Sequence, residues 1–377
     1  MAARLGIVGA GIAGLAAGLA CRQLGIDFQL FDAAEDPLAG GTGITLWPNA
    51  LCALSELGMR NFVDVVASNA MTNGGIATDR GAVLYSLPLA WIRRQYGYFP
   101  VCVRRDVLQR RMYEALDEPK IVRAQVHRVL TSKDGAVVVG SHGQLWYDAV
   151  IIADGIHSQA RNCLYPVQPR PTHYTAWRGM THGAVVDPAT MWEYWGLGVR
   201  FGYASVSPQS TYWFATVNQS HLRDGDSWTV ARTLLERFPP PVQACIAATA
   251  DSDILHHRVQ DLPPGCPMAM GHIALMGDAA HAITPNLGFG GALAIEDAAV
   301  WLEVVRDAGV SPAAFGIYAD RRRRRVRQMA YVTRQFGDIM QWQSKGVACL
   351  RNALFYMTGP VFGRVMWRRL LGSRSRP

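Results

Sequence analysis

Three short glycine-containing stretches of this 377-residue chain each have an acidic residue within them or at the end of the next predicted strand. In the first, Gly9-x-Gly11-x-x-Gly14, the first glycine permits a tight turn, the second lets a pyrophosphate approach the backbone, and the third allows close helix–strand packing. The unpaired N–H groups and the dipole of the following helix favour an anion. Asp32, at the end of the next predicted strand, can accept hydrogen bonds from an adenosine ribose. A dinucleotide site is predicted, and a purely structural turn is the alternative.

The second and third stretches follow apolar runs that read as buried strands. Asp154-Gly-Ile-His-Ser-Gln-Ala-Arg161 comes directly after residues 149–153, and Gly277-Asp-Ala-Ala-His281 comes after residues 272–276. Short acidic turns at the carboxyl ends of strands in an open sheet lie where ligands bind. His281 can either relay a proton from a phenolic or quinolone substrate or make a structural hydrogen bond inside its turn.

A second glycine-rich helix start follows at Pro285-Asn-Leu-Gly-Phe-Gly-Gly291. Its backbone N–H groups can point at an electron-rich ring or an oxyanion, because the first turn of a helix leaves such donors unpaired. The helix that it opens is predicted to continue to about Val305, and another begins at Ser311-Pro312.

Periodicity predicts the elements that position these motifs. Residues 4–8, a helix ended by Gly25, and residues 26–31 form a β-α-β unit, and Asn49 is expected to cap the next helix. Between about residues 163 and 266 the pattern changes to aromatic-rich antiparallel strands at 191–195, 200–206 and 211–217. We predict an α/β fold: a discontinuous Rossmann-like domain (1–163 and 267–377) with an inserted antiparallel β-sheet substrate domain (164–266) and C-terminal helices.

Composition excludes several classes of protein. The chain is 50% hydrophobic and 18% charged, which rules out intrinsic disorder, and no short repeat is present. Its seven cysteines are scattered singly without C-x-x-C, which favours reduced thiols in the cytoplasm and no metal site. The uncharged stretch 5–21 resembles the apolar region of a signal peptide, but cleavage there would delete the glycine-rich turn.

The net charge of +8 is concentrated near the C-terminus, where residues 321–377 hold 14 Lys+Arg and one acid, Asp338. The run Arg321–Arg325 is expected to be a solvated helix face rather than a nucleic-acid site, because no base-stacking aromatics interleave with it. The last thirty residues alternate apolar side chains with arginine. They form either a basic element on the inner face of a membrane or a cap on the nucleotide-binding domain. Nothing in the sequence indicates the oligomeric state.

The three motifs, in this order and spacing, resemble those of the single-component FAD-dependent aromatic monooxygenases, such as p-hydroxybenzoate hydroxylase, salicylate hydroxylase and zeaxanthin epoxidase. The resemblance covers almost the whole chain. It implies FAD, transiently bound NAD(P)H and O2 as cofactors, with hydroxylation of an activated, apolar aromatic or heteroaromatic substrate, such as an alkylquinolone or phenol, through a flavin C4a-hydroperoxide. No other partner is implied.

The resemblance also assigns roles to residues of this chain. FAD contacts are implied for Gly9, Gly11, Gly14, Asp32, Arg105, Asp154, Gly155, Arg161, Gly277, Asp278, Gly288, Gly290 and Gly291. Pro285 lies in the loop beside the flavin ring and, with His281, is the catalytic candidate. The chain departs from the family pattern at Asp32, where Glu is usual, and at Phe289, where Gln is frequent. Arg104 beside Arg105 leaves the register of that arginine open.

Aromatic residues of the inserted sheet and of the glycine-rich loop are the substrate-site candidates. They are Tyr194, Tyr203, Tyr212, Phe214 and Phe289. Alternating aromatics on strands are equally typical of plain core. Arg178 is expected either to contact the substrate or nicotinamide or to form a surface ion pair.

A second likeness is to the 2-alkyl-4-quinolone 3-monooxygenases, carried by residues 41–46 with 49–51, 191–196 with 202–208, and 341–344 with 350–354. Epoxidation or N-hydroxylation of a lipophilic metabolite on the same fold is an alternative to ring hydroxylation. A non-catalytic flavin-dependent ligand-binding protein is another, as is a flavin reductase. The Trp-x-Trp-x-Ile-Pro signature of the related halogenases is absent.

Overall fold

The computed structural model describes residues 3–222 and 227–372. The strands of this part are β1 (Arg4–Val8), β2 (Asp27–Asp32), β3 (Gly43–Leu46), β4 (Asn73–Thr78), β5 (Val83–Ser86), β6 (Val101–Arg104), β7 (Ile121–Arg123), β8 (Val126–Thr131), β9 (Ala136–Gly140), β10 (Gly143–Tyr147), β11 (Ala149–Ile152), β12 (Arg170–Met180), β13 (Thr190–Trp195), β14 (Val199–Ser207), β15 (Ser210–Asn218), β16 (Leu255–Asp261), β17 (Ala269–Met270) and β18 (Ile273–Leu275).

The α-helices of the same part are α1 (Ile12–Leu24), α2 (Pro48–Glu56), α3 (Arg60–Val66), α4 (Leu89–Tyr96), α5 (Arg105–Glu114), α6 (Gln159–Leu164), α7 (Trp228–Leu235), α8 (Pro240–Ala247), α9 (Asp278–His281), α10 (Gly290–Ala308), α11 (Pro312–Met340) and α12 (Lys345–Leu371). Short 3-10 turns cover Ala67–Asn69, Gln219–His221, Asp251–Asp253 and Pro285–Leu287. Among the described helices, none is both long enough and apolar enough to cross a membrane.

A six-stranded sheet forms the nucleotide-binding half, with the strand order β17-β18-β11-β1-β2-β7. The five strands from β18 to β7 run parallel, and β17 pairs antiparallel at the edge. The side chains of β11 are buried on both faces of the sheet, as their continuous apolar run indicated. Gly25 ends α1 in a left-handed conformation with φ of 65°. The α/β architecture predicted from the sequence is confirmed.

A second, seven-stranded sheet has the order β16-β12-β15-β14-β13-β4-β5 and is antiparallel apart from the β13–β4 pair. Two of its strands, β4 and β5, come from residues 73–86, so the sheet extends beyond the predicted insertion at 164–266. The sequence pattern did not show β4 because Gly74 and Gly75 carry no side chain. A Cβ at Gly74 would lie 2.1 Å from the Met191 carbonyl oxygen, so only glycine lets β13 approach this closely. The division into two domains stays a prediction.

Two helix starts were predicted from the sequence, one at Ser311-Pro312 and one capped by Asn49. Ser311 caps α11, because its hydroxyl accepts a hydrogen bond from the Ala314 N–H at 3.2 Å. The expectation for Asn49 is wrong, since Trp47 precedes α2 and Pro48 occupies its first position. The side chain of Asn49 is instead buried and donates to Glu296 in α10 at 2.5 Å.

A buried ionic cluster joins α10 and α11. Arg322 donates to Asp297 at 2.6 Å and to Glu296 at 2.8 Å, and all three side chains are almost fully buried. The prediction of a solvated face is therefore wrong for Arg322, although Arg321, Arg323 and Arg324 are exposed. Spacing alone did not show which arginine of the run turns inward.

Asp297 also holds the turn that follows β18. Its carboxylate accepts hydrogen bonds from the Gly277 N–H at 2.8 Å and from His281 Nε2 at 2.5 Å. Burial alone would raise the pKa of Asp297, but His281 and Arg322 outweigh burial and lower it. The carboxylate stays ionised and fixes Gly277 and His281 to α10.

Replacing Arg322 by methionine is expected to reduce the free energy of unfolding by roughly 3–5 kcal/mol, because two buried carboxylates lose the buried cation that they share. The substitution leaves Glu296 paired with Arg325 and Asp297 paired with His281. Arg323→Met is the matched control: Arg323 is exposed, and its ion pair with Asp320 contributes little. Urea unfolding of both variants measures the difference. Equal midpoints for the two variants would show that the cluster does not stabilise the fold.

Candidate functional site

A cavity of about 1110 Å³ lies between the carboxyl edge of the six-stranded sheet and one face of the seven-stranded sheet. The turns that follow β1, β2, β11 and β18 all reach it, as expected for an open parallel sheet. The residues of the three motifs and the Arg105 segment that line it are Gly9, Gly11, Asp32, Arg105, Asp154, Gly155, Asp278, Pro285, Gly288, Gly290 and Gly291. The motifs are therefore brought together in one place.

The turn between β1 and α1 has the geometry that its glycines allow. Gly9 has a φ of 101°, and a Cβ at Gly14 would lie 1.8 Å from the Gly9 carbonyl oxygen, so α1 packs directly on the turn. A Cβ at Gly11 would meet no atom within 4 Å. Asp32 accepts hydrogen bonds from the N–H groups of Ala10 at 2.7 Å and Ala34 at 2.8 Å, which hold its carboxylate at the edge of the cavity.

The turn after β11 carries a carboxyl group with an unused oxygen. Asp154 lines the cavity, and its buried Oδ1 has no hydrogen-bond partner among the described residues. Burial raises the pKa of Asp154 to about 6. An unpartnered buried carboxyl oxygen at a cavity wall suits a ligand that donates hydrogen bonds.

Arg161, Gly277 and His281 do not line the cavity. The guanidinium of Arg161 donates to the carbonyls of Ile156 at 2.9 Å and Ala279 at 3.2 Å, and it ties the turn after β11 to α9. His281 is buried outside the cavity and bonded through Nε2 to Asp297, a position that favours the structural hydrogen bond over the proton relay. These residues support the turns that carry Asp154 and Asp278.

Two of the five substrate-site candidates also lie outside the cavity. Phe289 is fully buried and stacks on Trp47 with ring centroids 5.7 Å apart, because its side chain points into the core beside α2. Tyr194 is buried in a separate aromatic cluster of the seven-stranded sheet. Tyr203, Tyr212 and Phe214 do line the cavity.

The structure also shows which of the candidate arginines reach the cavity. Arg105 lines the cavity and donates to Gln109 at 3.2 Å, whereas Arg104 pairs with Asp106 at 2.7 Å away from it. Arg178 lines the cavity, and no salt bridge joins it to a carboxylate of residues 3–222 or 227–372. The surface ion-pair alternative for Arg178 is therefore not observed.

A buried polar group that the sequence analysis did not single out lies at the cavity wall. Arg200 in β14 donates to Glu193 at 2.9 Å, to Thr216 at 3.1 Å and to Asn286 at 2.7 Å. Asn286 belongs to the glycine-rich loop, so this arginine joins the seven-stranded sheet to that loop. The available signal was an arginine and a glutamate on strands that are otherwise apolar and aromatic.

Helix α12 supplies a further wall through Phe355, Met366 and Trp367. The helix is seated on the Tyr85 ring, since a Cβ at Gly359 or Gly363 would come within 2.5 Å or 2.2 Å of that side chain. Tyr85 itself lines the cavity. The inner face of α12 is thus a cap on the site.

The chemistry of these walls fits a dinucleotide. Gly11, Gly155 and Gly290 line the cavity, and an added Cβ at any of them would meet no atom within 4 Å. They leave backbone N–H groups accessible to an anion at the starts of α1 and α10. Asp32 and Asp154 provide carboxylate oxygens for hydroxyl groups.

Asp154→Asn tests the raised pKa. Because the folded-state pKa of about 6 lies above the ordinary value of 3.8, the stability that Asp154 contributes below pH 4 is lost as the pH rises to 6. Asparagine cannot ionise and so does not lose this stability. Between pH 4 and pH 7, the free energy of unfolding of the ligand-free variant is therefore expected to rise by up to about 3 kcal/mol relative to that of the natural sequence. Urea unfolding across this range measures the gain, and a difference independent of pH would contradict the shift.

Comparison with known proteins agrees with this geometry. Residues 2–332 match the family described as FAD binding domain. The chain is 32% identical to aurachin C monooxygenase/isomerase of Stigmatella aurantiaca over 361 residues, which cover 93% of each chain. It is 31% identical to 2-heptyl-3-hydroxy-4(1H)-quinolone synthase of Pseudomonas aeruginosa over 379 residues, which cover 97% of this chain and 96% of the relative.

A solved structure has a similar fold throughout. The crystal structure of HpxO from Klebsiella pneumoniae, complexed with FAD and uric acid, matches with a TM-score of 0.87 and 27% identity over 98% of this chain and 97% of HpxO. The family match spans most of the chain, and the two relatives above match along nearly their whole length. The chain belongs to the FAD binding domain family, and it is an FAD-dependent monooxygenase.

Proposed function

We propose that this monooxygenase hydroxylates an apolar aromatic or heteroaromatic molecule, with an alkyl-substituted quinolone or phenol as the substrate class. One observation carries the proposal. A single cavity extends from the glycine-rich turns at the edge of the six-stranded sheet to the aromatic face of the seven-stranded sheet. A flavin ring and an aromatic substrate therefore have room in one continuous cavity.

The FAD contacts are divided among the turns of the parallel sheet. Gly11 and the start of α1 receive the pyrophosphate, Asp32 the adenosine ribose, Arg105 the phosphates and Asp278 the ribityl chain. Pro285, Gly288, Gly290 and Gly291 lie beside the flavin ring. When bound, FAD supplies the redox chemistry, taking a hydride from NAD(P)H and activating O2.

The chain's own side chains hold and shield the substrate. Tyr203, Tyr212 and Phe214 pack against an aromatic ring, and the cap on the cavity limits the access of water to the reacting atoms. Arg178 is placed to contact a polar group of the substrate or the nicotinamide. His281 acts only through the turn that it holds.

An apolar substituent is favoured by the remaining wall. It is formed by Phe336, Met340, Phe355, Met366 and Trp367. The two relatives named above carry an aurachin and a quinolone in their names, and HpxO was solved with uric acid. These side chains suit the alkyl chain of a quinolone better than a polar purine.

The first test is an anaerobic visible spectrum of the protein with NADH or NADPH, with and without a panel of phenols, 2-alkyl-4-quinolones and uric acid. We expect flavin absorbance to bleach fastest with an alkylquinolone or alkylphenol, and admission of O2 to give a product heavier by one oxygen atom. A protein that cannot be loaded with FAD would contradict the cofactor assignment. Faster bleaching with uric acid would contradict the substrate class alone.

The glycine-rich turn gives a second test. Gly11→Val adds a side chain at a cavity residue where a Cβ would meet no protein atom within 4 Å, and the φ of −75° at this residue is open to valine. We expect the variant to fold but to retain less than about a tenth of the FAD, because the pyrophosphate can no longer approach the backbone. Gly316→Val, on α11 with equally open surroundings, is the control and is expected to retain FAD. Full retention by both variants, read from the ratio of flavin to protein absorbance, would place the pyrophosphate elsewhere.

A further inference from the structure

The outward face of α12 carries an exposed apolar stripe. It consists of Val347, Leu350, Leu354, Met357, Val361 and Val365. Successive members are three or four residues apart, so they share one side of the helix, and they are 41–68% exposed. Phe362 flanks the stripe and is 63% exposed. A contiguous apolar surface of this kind marks an interaction site rather than a scattered surface residue.

The charge on α12 is entirely positive. Residues 345–371 contain Lys345 and four arginines and no acidic residue. Arg364 and Arg368 are exposed and follow Met357 and Val361 by seven residues, so they continue the same side of the helix. The stripe therefore ends in a basic cluster that also includes the exposed Arg369.

The apolar stripe could bind either a second copy of the chain or a lipid surface, and the positive charge beside it distinguishes the two. Two copies meeting through the stripe would have no acid on either helix to pair with Arg364, Arg368 and Arg369, whichever way the two helices ran. A bilayer with anionic lipids accepts apolar side chains at the depth of the acyl boundary and arginine at the headgroups. The charge thus favours the membrane.

The other face of the same helix lines the cavity through Phe355, Met366 and Trp367. A bilayer in contact with the stripe would therefore lie one helix diameter from the site. We propose that the outer face of α12 binds the surface of an anionic lipid bilayer. This binding does not depend on the proposed substrate, because the stripe and its charges are outside the cavity.

Flotation of the FAD-loaded, full-length protein with phosphatidylcholine vesicles, with and without about 30% phosphatidylglycerol, tests the proposal. We expect the protein to float with the anionic vesicles, and less so when salt rises from about 0.1 M to 0.5 M. Leu354→Ser/Met357→Ser/Val361→Ser is expected to weaken partitioning at least about tenfold. Arg364→Gln/Arg368→Gln is expected to weaken it and to reduce its dependence on salt.

A triple serine variant of exposed apolar residues on α3 and β10, Val65→Ser/Leu145→Ser/Trp146→Ser, is the matched control and is expected to float like the natural protein. Flavin absorbance and thermal unfolding confirm that each variant is folded. Natural protein that stays unbound with both vesicles would overturn the proposal. So would an α12 variant that floats unchanged, or sedimentation showing that the stripe variant merely converts a dimer to a monomer.

Discussion

The site depends on a pair of carboxylates held in the interior of the protein. Glu296 and Asp297 are adjacent on α10, and Arg322 pairs with both of them, while Arg325 adds a second cation to Glu296 and His281 a second partner to Asp297. Their remaining oxygens take hydrogen bonds from Asn49 of α2, from the Gly277 N–H and from His281. A buried carboxylate with several donors is stable only when all of them are in place, so α2, α10, α11 and the turn after β18 adopt one mutual arrangement. Asp278 is carried into the cavity by that turn.

Polar contacts join the two halves of the molecule beside the cavity, together with a small apolar cluster in which Leu84 and Trp195 of the seven-stranded sheet pack with Met340 of α11. Phe201 and Trp213 belong to an apolar cluster with α7 and α8 that is separate from the core of the six-stranded sheet. The polar connection is made by Arg200 with Asn286, and by the Asn218 side chain, which donates to the Gln341 carbonyl at 2.9 Å. Directional bonds of this kind fix the separation of the sheets while leaving space between them, which a close-packed core would fill.

The sequence was informative wherever a local requirement determined the residue. The turn at Gly9 and Gly14, the cap at Ser311 and the apolar run of β11 each follow from backbone geometry or burial within a few residues, and the structure agrees. The sequence did not show contacts between residues that are far apart in the chain. The alternation of side chains along β15 places Tyr212 and Phe214 on one face of the seven-stranded sheet and Trp213 on the other. Because both faces are covered, the alternation does not show that Tyr212 and Phe214 face the cavity and that Trp213 faces the apolar cluster. Glycine-rich β4 and the inward turn of Arg322 depend on neighbours far away in the chain.

The walls of the cavity come from residues as distant in the chain as Gly9 and Trp367. The chain leaves the ribosome from its N-terminus, so the first β-α-β unit can fold long before α12 is made. During that interval the cavity is open to solvent on the side that Phe355, Met366 and Trp367 later cover. The wall formed by α12 is therefore made after those formed by the two sheets, and a nascent chain that lacks this helix presents that side of its cavity to water.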